Sequence, residues 1–489
     1  MRKRPVLALA IAVALVAGCS GTPPEATPDV TFDQPLAVPP LAESRVEDGT
    51  RVFRLTAQEG SAELVPGVRS ETWGFNGSYL GPTLRAERGE KVAVEVTNDL
   101  ERTTTVHWHG MHLPAEMDGG PHQMVEPGGT WRPTWTIDQP AATLWYHPHP
   151  HGETEEHVYR GLAGLFIIDD GEDVAAGLPH EYGVDDVPVV VQDKRIAEDG
   201  SLVFDDSGNE IGTLGRTLLA NGTAGAVHEV STERVRLRLL NGSTARTYDF
   251  VLDDGRDVQL VGTDGGLLAA PVATDHVRLS PGERAEIVVT MEPGTQTMLR
   301  STSPDLGNVV AARAFGGTDE FDVLLLRAAD RLVPSPEVAP TLTRLPAVSD
   351  ADADVTRSFV LEDRSINGRT MDMDRIDETV TVGATEVWEV TSRNPFPHNF
   401  HVHDVQFRVL SVDGAPPPPE LAGRKDTIYL EPRRQYRLLL TFEDFTDPDV
   451  PYMFHCHLLL HEDEGMMGQF VVVEPGDQAG RPPSAGHSH

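Results

Sequence analysis

The sequence predicts an all-β protein of three β-sandwich domains. Three observations carry this expectation. Strand-like segments with alternating apolar residues recur between Gly, Pro and Asn along the chain. No stretch longer than about ten residues carries a helical apolar stripe, although 148–165 has room for a short helix. The chain also repeats weakly at about 145–150 residues, too long for a solenoid, so the repeating unit is a domain. Asn-Gly turns mark the copies at Asn76-Gly77, Asn221-Gly222 and Asn367-Gly368. An alternating strand follows each turn, at 92–96, 235–239 and 387–390. A proline then precedes another strand: Pro127, Pro281 and Pro432.

Taken in order, the chain opens with a leader over 1–18. Arg2, Lys3 and Arg4 supply its charge, and the apolar run 6–16 is too short for a comfortable membrane span. Val16-Ala17-Gly18-Cys19 resembles a bacterial lipobox, which implies lipidation of Cys19 and an extracytoplasmic, membrane-anchored protein. An ordinary signal cleaved near Ala17 is the alternative. Residues 19–45 are rich in Pro, Thr, Glu and Asp and read as a flexible tether. The three sandwiches are expected at 46–175, 176–335 and 345–475, followed by a disordered tail over 476–489 that contains His487 and His489. The formal net charge of -36 argues against nucleic acid and against attraction to anionic lipid. It fits a solubilised surface, and a monomer is expected.

The chemistry is concentrated in four short segments: His107-Trp108-His109, His147-Pro148-His149, His398-Asn399-Phe400-His401-Val402-His403 and 455–461. Alternate residues of a strand share a face, so each His-x-His pair aims two imidazoles at one place. His107/His109, His147/His149, His401/His403 and His455/His457 give eight such imidazoles, enough for a cluster of metal ions. Cys456 points to the opposite face from its two neighbours. With His398, His461 and a thioether from Met466 or Met467, it supplies the ligand types of a blue-copper site. A thiol kept in an oxidising compartment has a reason if it binds metal. His180, His228 and His276 of the middle domain are scattered and read as structural. His112, His122, His151 and His157 read as polar neighbours, and Trp108 as core.

These segments lie among the words Asp118-Gly119-Gly120-Pro121, 145–149, Gly161-Leu162-Ala163-Gly164 and 461–467. Together they make the chain resemble a three-domain multicopper oxidase of the cupredoxin superfamily, in its bacterial cuprous oxidase and spore-coat laccase branch. The resemblance covers about residues 50–475. It implies three cupredoxin-like Greek-key sandwiches and four copper ions. A type 1 copper would take His398, Cys456, His461 and axial Met466. A type 2 copper would take His107 and His401. The type 3 pair would take His109, His147 and His457 on one ion and His149, His403 and His455 on the other. Electrons from a reducing substrate would pass through Cys456 and a neighbouring histidine, and dioxygen would be reduced to water. Glu462 and Asp118 match acids that relay protons in such enzymes.

The substrate is left open between cuprous ion and phenols or aromatic amines. There is no methionine-rich insertion, only Met371 and Met373 with Asp372 and Asp374. Asp426 falls where related sequences place an acid near the type 1 edge. Copper nitrite reductases and non-enzymatic relatives, including cell-division and copper-carrier proteins, are the competing classes. The former are usually two-domain, and the latter lose ligands that this chain keeps.

Overall fold

A computed structural model describes residues 30–204 and 209–483. The leader, Cys19, His487 and His489 lie outside the described residues. The expected all-β architecture is present as three sandwiches, each of two sheets. In the first, a sheet built on Thr50–Val65 and Lys91–Asn98 faces a four-stranded sheet in the order Leu84–Glu87, Gly164–Asp169, Ala142–His147, His107–His109. Phe53, Val94, Trp108, Trp135 and Phe166 fill the space between them. The second sandwich packs two six-stranded sheets around Val189, Leu237, Phe250, Ile287 and Leu324. The third packs Phe359, Trp388, Phe400, Phe454 and Phe470 between a six-stranded and a five-stranded sheet.

The internal repeat has a structural basis. In every sandwich a strand pairs in parallel with the later alternating strand: Thr50–Val65 with Lys91–Asn98, Asp186–Lys194 with Arg234–Asn241, and Val355–Glu362 with Thr385–Ser392. The Asn-Gly turns perform one task three times. Asn76, Asn221 and Asn367 hold left-handed φ of 57°, 50° and 54°, a region Asn tolerates better than most residues. Each side chain bridges two residues of the partner strand. Their Oδ1 atoms accept from the amides of Thr56, Val190 and Val360, and their Nδ2 atoms donate to the carbonyls of Arg54, Pro188 and Ser358.

Two expectations at the chain ends need correction. The described part of the expected tether is packed. Gln34–Pro35 adds a parallel strand beside Ala226–Thr232 of the middle domain. Leu36 enters that domain's core, and Tyr182 Oη donates to the Pro39 carbonyl. A few apolar residues among prolines suffice when they fill an existing sheet edge. In the expected disordered tail, Gly480 N donates to Pro448 O and Arg481 N to Asp449 Oδ1. No helix among the described residues is long and apolar enough to cross a membrane. The short helix foreseen within 148–165 is Thr154–Arg160.

Candidate metal centres

Strand register assembles the histidines. In the first domain His107 stands opposite His147, and in the third His401 stands opposite His455. Directly opposed residues share a face, so each sheet offers imidazoles at its end. The two ends meet: His107 stacks on His403 at 3.8 Å between ring centroids, and His109 on His401 at 3.7 Å. All eight paired histidines are buried. Nε2 of His455 lies 3.3 Å from that of His149 and 3.2 Å from that of His403, so three ring nitrogens converge. His457 and His147 bring their Nε2 atoms within 3.4 Å. His107, His401 and His403 form a further close group, as do His107, His109 and His147.

Hydrogen bonding shows which ring nitrogens remain available. His107 Nδ1 donates to the Asp118 carbonyl at 3.0 Å and His401 Nδ1 to the Asp426 carbonyl at 2.9 Å. The Nε2 atoms of both rings are buried without a hydrogen-bond partner. A histidine fixed by a carbonyl on one nitrogen, with a bare lone pair on the other, is prepared to bind metal. Burial, first among the causes, holds His149 and His457 down to about 3 and His109, His147, His401 and His403 well below the usual range. The rings are therefore neutral, the form that ligates. The donor set fits copper.

The second centre lies on the other face of the same strand. Cys456 Sγ is 3.5 Å from His398 Nδ1 and 3.4 Å from His461 Nδ1, and those two nitrogens are 3.1 Å apart. His461 reaches this position from the short helix Leu459–Asp463. Register also separates the two methionines. Met467 stands opposite His455 and shares its face, so Met466 takes the face of Cys456 and joins its buried cluster. Asn399 braces both centres: its Oδ1 accepts from the His457 amide at 2.6 Å and lies 3.5 Å from Cys456 Sγ.

Of the expected acids, Glu462 is buried between imidazoles. Its oxygens stand 3.3 Å from His149 Nδ1 and 3.2 Å from His455 Nδ1. Burial favours its neutral form, but His149 and His455 outweigh this and hold it well below the usual carboxylate range. Asp118 Oδ2 accepts from His403 Nδ1 at 2.7 Å. Asp426 is a correction: it is fully buried beside the histidine cluster, not at the edge of the cysteine site. His109 Nε2 lies 3.0 Å from Asp426 Oδ1, and Arg284 grips both carboxylate oxygens at 2.7 and 2.6 Å. Met371 and Met373 are half-buried, and Met371 N donates to the carbonyl of Gly465, next to Met466.

The middle domain, read from sequence as contributing no site residue, supplies Arg284, Asp264 and Gly282. Asp264 pairs with Lys425 at 2.9 Å. Gly282 passes so close, at φ +85°, that a Cβ there would sit 3.1 Å from His457 Nδ1. Their signals were single residues far along the chain, with no local pattern. Arg284→Ala leaves the Asp426 carboxylate buried and uncompensated. The expected cost is about 3–5 kcal/mol, read from the urea midpoint of the copper-free protein.

The depressed imidazoles predict acid sensitivity. His149, His398 and His457 sit near 3 in the fold, lowered mainly by burial from an ordinary value of 6.5. Between those values the unfolded chain binds more protons than the native one. Stability is complete above pH 6.5 and lost as pH falls toward 3. Acid titration of the copper-free protein by circular dichroism should show this decline.

The His112, His122, His157 and His151 positions lie outside these groups. His112 bridges Asp404 at 2.7 Å and Asp444 at 2.8 Å. His122 faces Gln469, His157 faces Thr104, and His151 is exposed.

Comparison with known proteins agrees with this geometry. The family described as multicopper oxidase matches residues 56–173, 196–314 and 338–476. "Multicopper oxidase mco" of Staphylococcus haemolyticus is 35% identical over 443 residues, covering 90% of this chain and 92% of that one. "Cell division protein FtsP" of Escherichia coli is 37% identical over 464 residues, covering 94% and 96%. Among solved structures, a laccase-like multicopper oxidase, CueO, from Ochrobactrum sp. superposes with a TM-score of 0.83 at 35% identity, covering 90% and 100%. That protein has oxidase activity towards lignin model compounds and lignosulfonate. The chain belongs to the multicopper oxidase family.

Proposed function

We propose that the protein is a copper-dependent oxidase that takes single electrons from cuprous ion, phenols or aromatic amines and reduces dioxygen to water. One observation carries the reading: Cys456 belongs to one centre, while His455 and His457, bonded to it through the backbone, belong to the other. His398, Cys456, His461 and Met466 would hold a type 1 copper. His107 and His401 would hold type 2, and His109, His147 and His457 with His149, His403 and His455 the type 3 pair. Copper bound there supplies the one-electron chemistry and the reduction of dioxygen. The protein fixes the imidazoles, keeps His109, His147, His149, His401, His403 and His457 neutral through burial, and offers a covalent route from the thiol to two ring systems. Glu462, between His149 and His455, and Asp118, on His403, are the carboxylates placed to take up and pass on protons beside the cluster. Met371 and Met373 would form a docking turn for a soft cation. We place the chain outside the cytoplasm as a monomer, anchored through lipidated Cys19.

The identity with FtsP supports a second reading, a cell-division protein. Copper analysis separates the two. About four ions per chain with oxygen consumption supports the oxidase; one or none, without turnover, overturns it.

A further inference from the structure

Both outer ring nitrogens of the cysteine centre are covered, one of them by the middle domain. Asn394 faces Nε2 of His398 at 2.9 Å. Nε2 of His461 donates to the carbonyl of Glu210 at 2.7 Å. That carbonyl has a second donor, Arg364 Nη2, at 2.6 Å. The same guanidinium reaches Glu210 Oε2 at 3.2 Å and pairs with Glu464, the residue that ends the helix carrying His461. It also lies over the ring of Phe396 at 5.6 Å, and Phe396 is 5.1 Å from His398 and 5.9 Å from His461. One residue beyond Glu210, Ile211 is inserted in the third domain's core.

We infer that Arg364 is a specificity-determining positioning residue that holds the Glu210 carbonyl on His461 and thereby favours a small cationic reductant over an organic one. The inference rests on the oxidase reading above. A phenol that is to hydrogen-bond with His461 must displace this carbonyl from both His461 and Arg364, breaking two hydrogen bonds to form one. A small cation needs no such bond. The rim it meets carries two exposed carboxylates, Glu210 and Glu464, against one guanidinium, so its net charge attracts cations. Each cuprous ion gives up one electron and leaves as cupric ion. Four such electrons, with four protons and one dioxygen, make two waters.

The test compares the parent with Arg364→Ala, Arg364→Lys and Ile211→Ala. The first readout needs no copper: carbethoxylation of His461 in the copper-free full-length chain, located by peptide mass mapping. The second is kcat/KM of the copper-loaded enzyme for a dimethoxyphenol and for cuprous ion. Arg364→Ala and Ile211→Ala should each raise His461 modification and phenol kcat/KM about tenfold, the latter through KM, with cuprous oxidation within about twofold of the parent. Arg364→Lys, which keeps a donor for the carbonyl, should stay near the parent. Unchanged His461 reactivity in folded variants overturns the inference, as does an equal change for both donors. If Arg364→Ala fails to fold, Ile211→Ala decides alone. A parent that oxidises neither donor sinks the oxidase reading, and the modification rates still decide whether Arg364 holds the contact.

Discussion

Cys456→Ser is expected to abolish oxidase activity and the orange-red absorption of the copper-loaded protein in one step. Bound copper should fall from about four to about three ions per chain, because the eight paired histidines are untouched. The thiol is fully buried, and burial pushes it up to about 12, so without a cation it stays protonated. A serine hydroxyl in the same place is a far poorer ligand and has no thiolate-to-copper charge transfer. The substitution changes little volume, so the fold should persist, which circular dichroism checks. Oxygen consumption that survives this change would disconnect the thiol from the electron route.

Glu462→Gln should have the next largest effect and leave the colour alone. The glutamine keeps the shape between His149 and His455 but cannot take up and release a proton. Turnover should fall by about 10²–10⁴, the range of positioned acid–base groups. Copper content and absorption should match the parent, which distinguishes a proton role from a structural one. Anaerobic reduction by substrate should keep its rate, and reoxidation by dioxygen should become slow. If reoxidation is as fast as in the parent, Glu462 is outside the proton path.

What could be read from sequence follows the range of the interactions. His-x-His alternation is local, so the pairing of His107 with His109 and of His455 with His457 was visible before any fold was known. Cys456 facing away from its neighbours is equally local. The three Asn-Gly turns were visible as a repeat, though not the strand-bridging amides that explain it. Contacts between distant segments were not legible. Asp426 was placed at the wrong centre because its partner, Arg284, lies 142 residues away in a domain without histidine pairs. Glu210 reaches His461 across 251 residues through a backbone carbonyl, which has no sequence signature at all. The N-terminal segment was misread because its composition is that of a linker, while its strand is stabilised by an edge supplied from residue 226 onward.

That borrowed edge has a practical bearing on preparing trimmed versions for crystallisation. A chain cut at residue 46, where the first sandwich was expected to begin, would strip Gln34–Pro35 and Leu36 from the middle domain and bare Ala226–Thr232 to intermolecular pairing. Such a version should aggregate on concentration, whereas one starting ahead of residue 30 should stay dispersed.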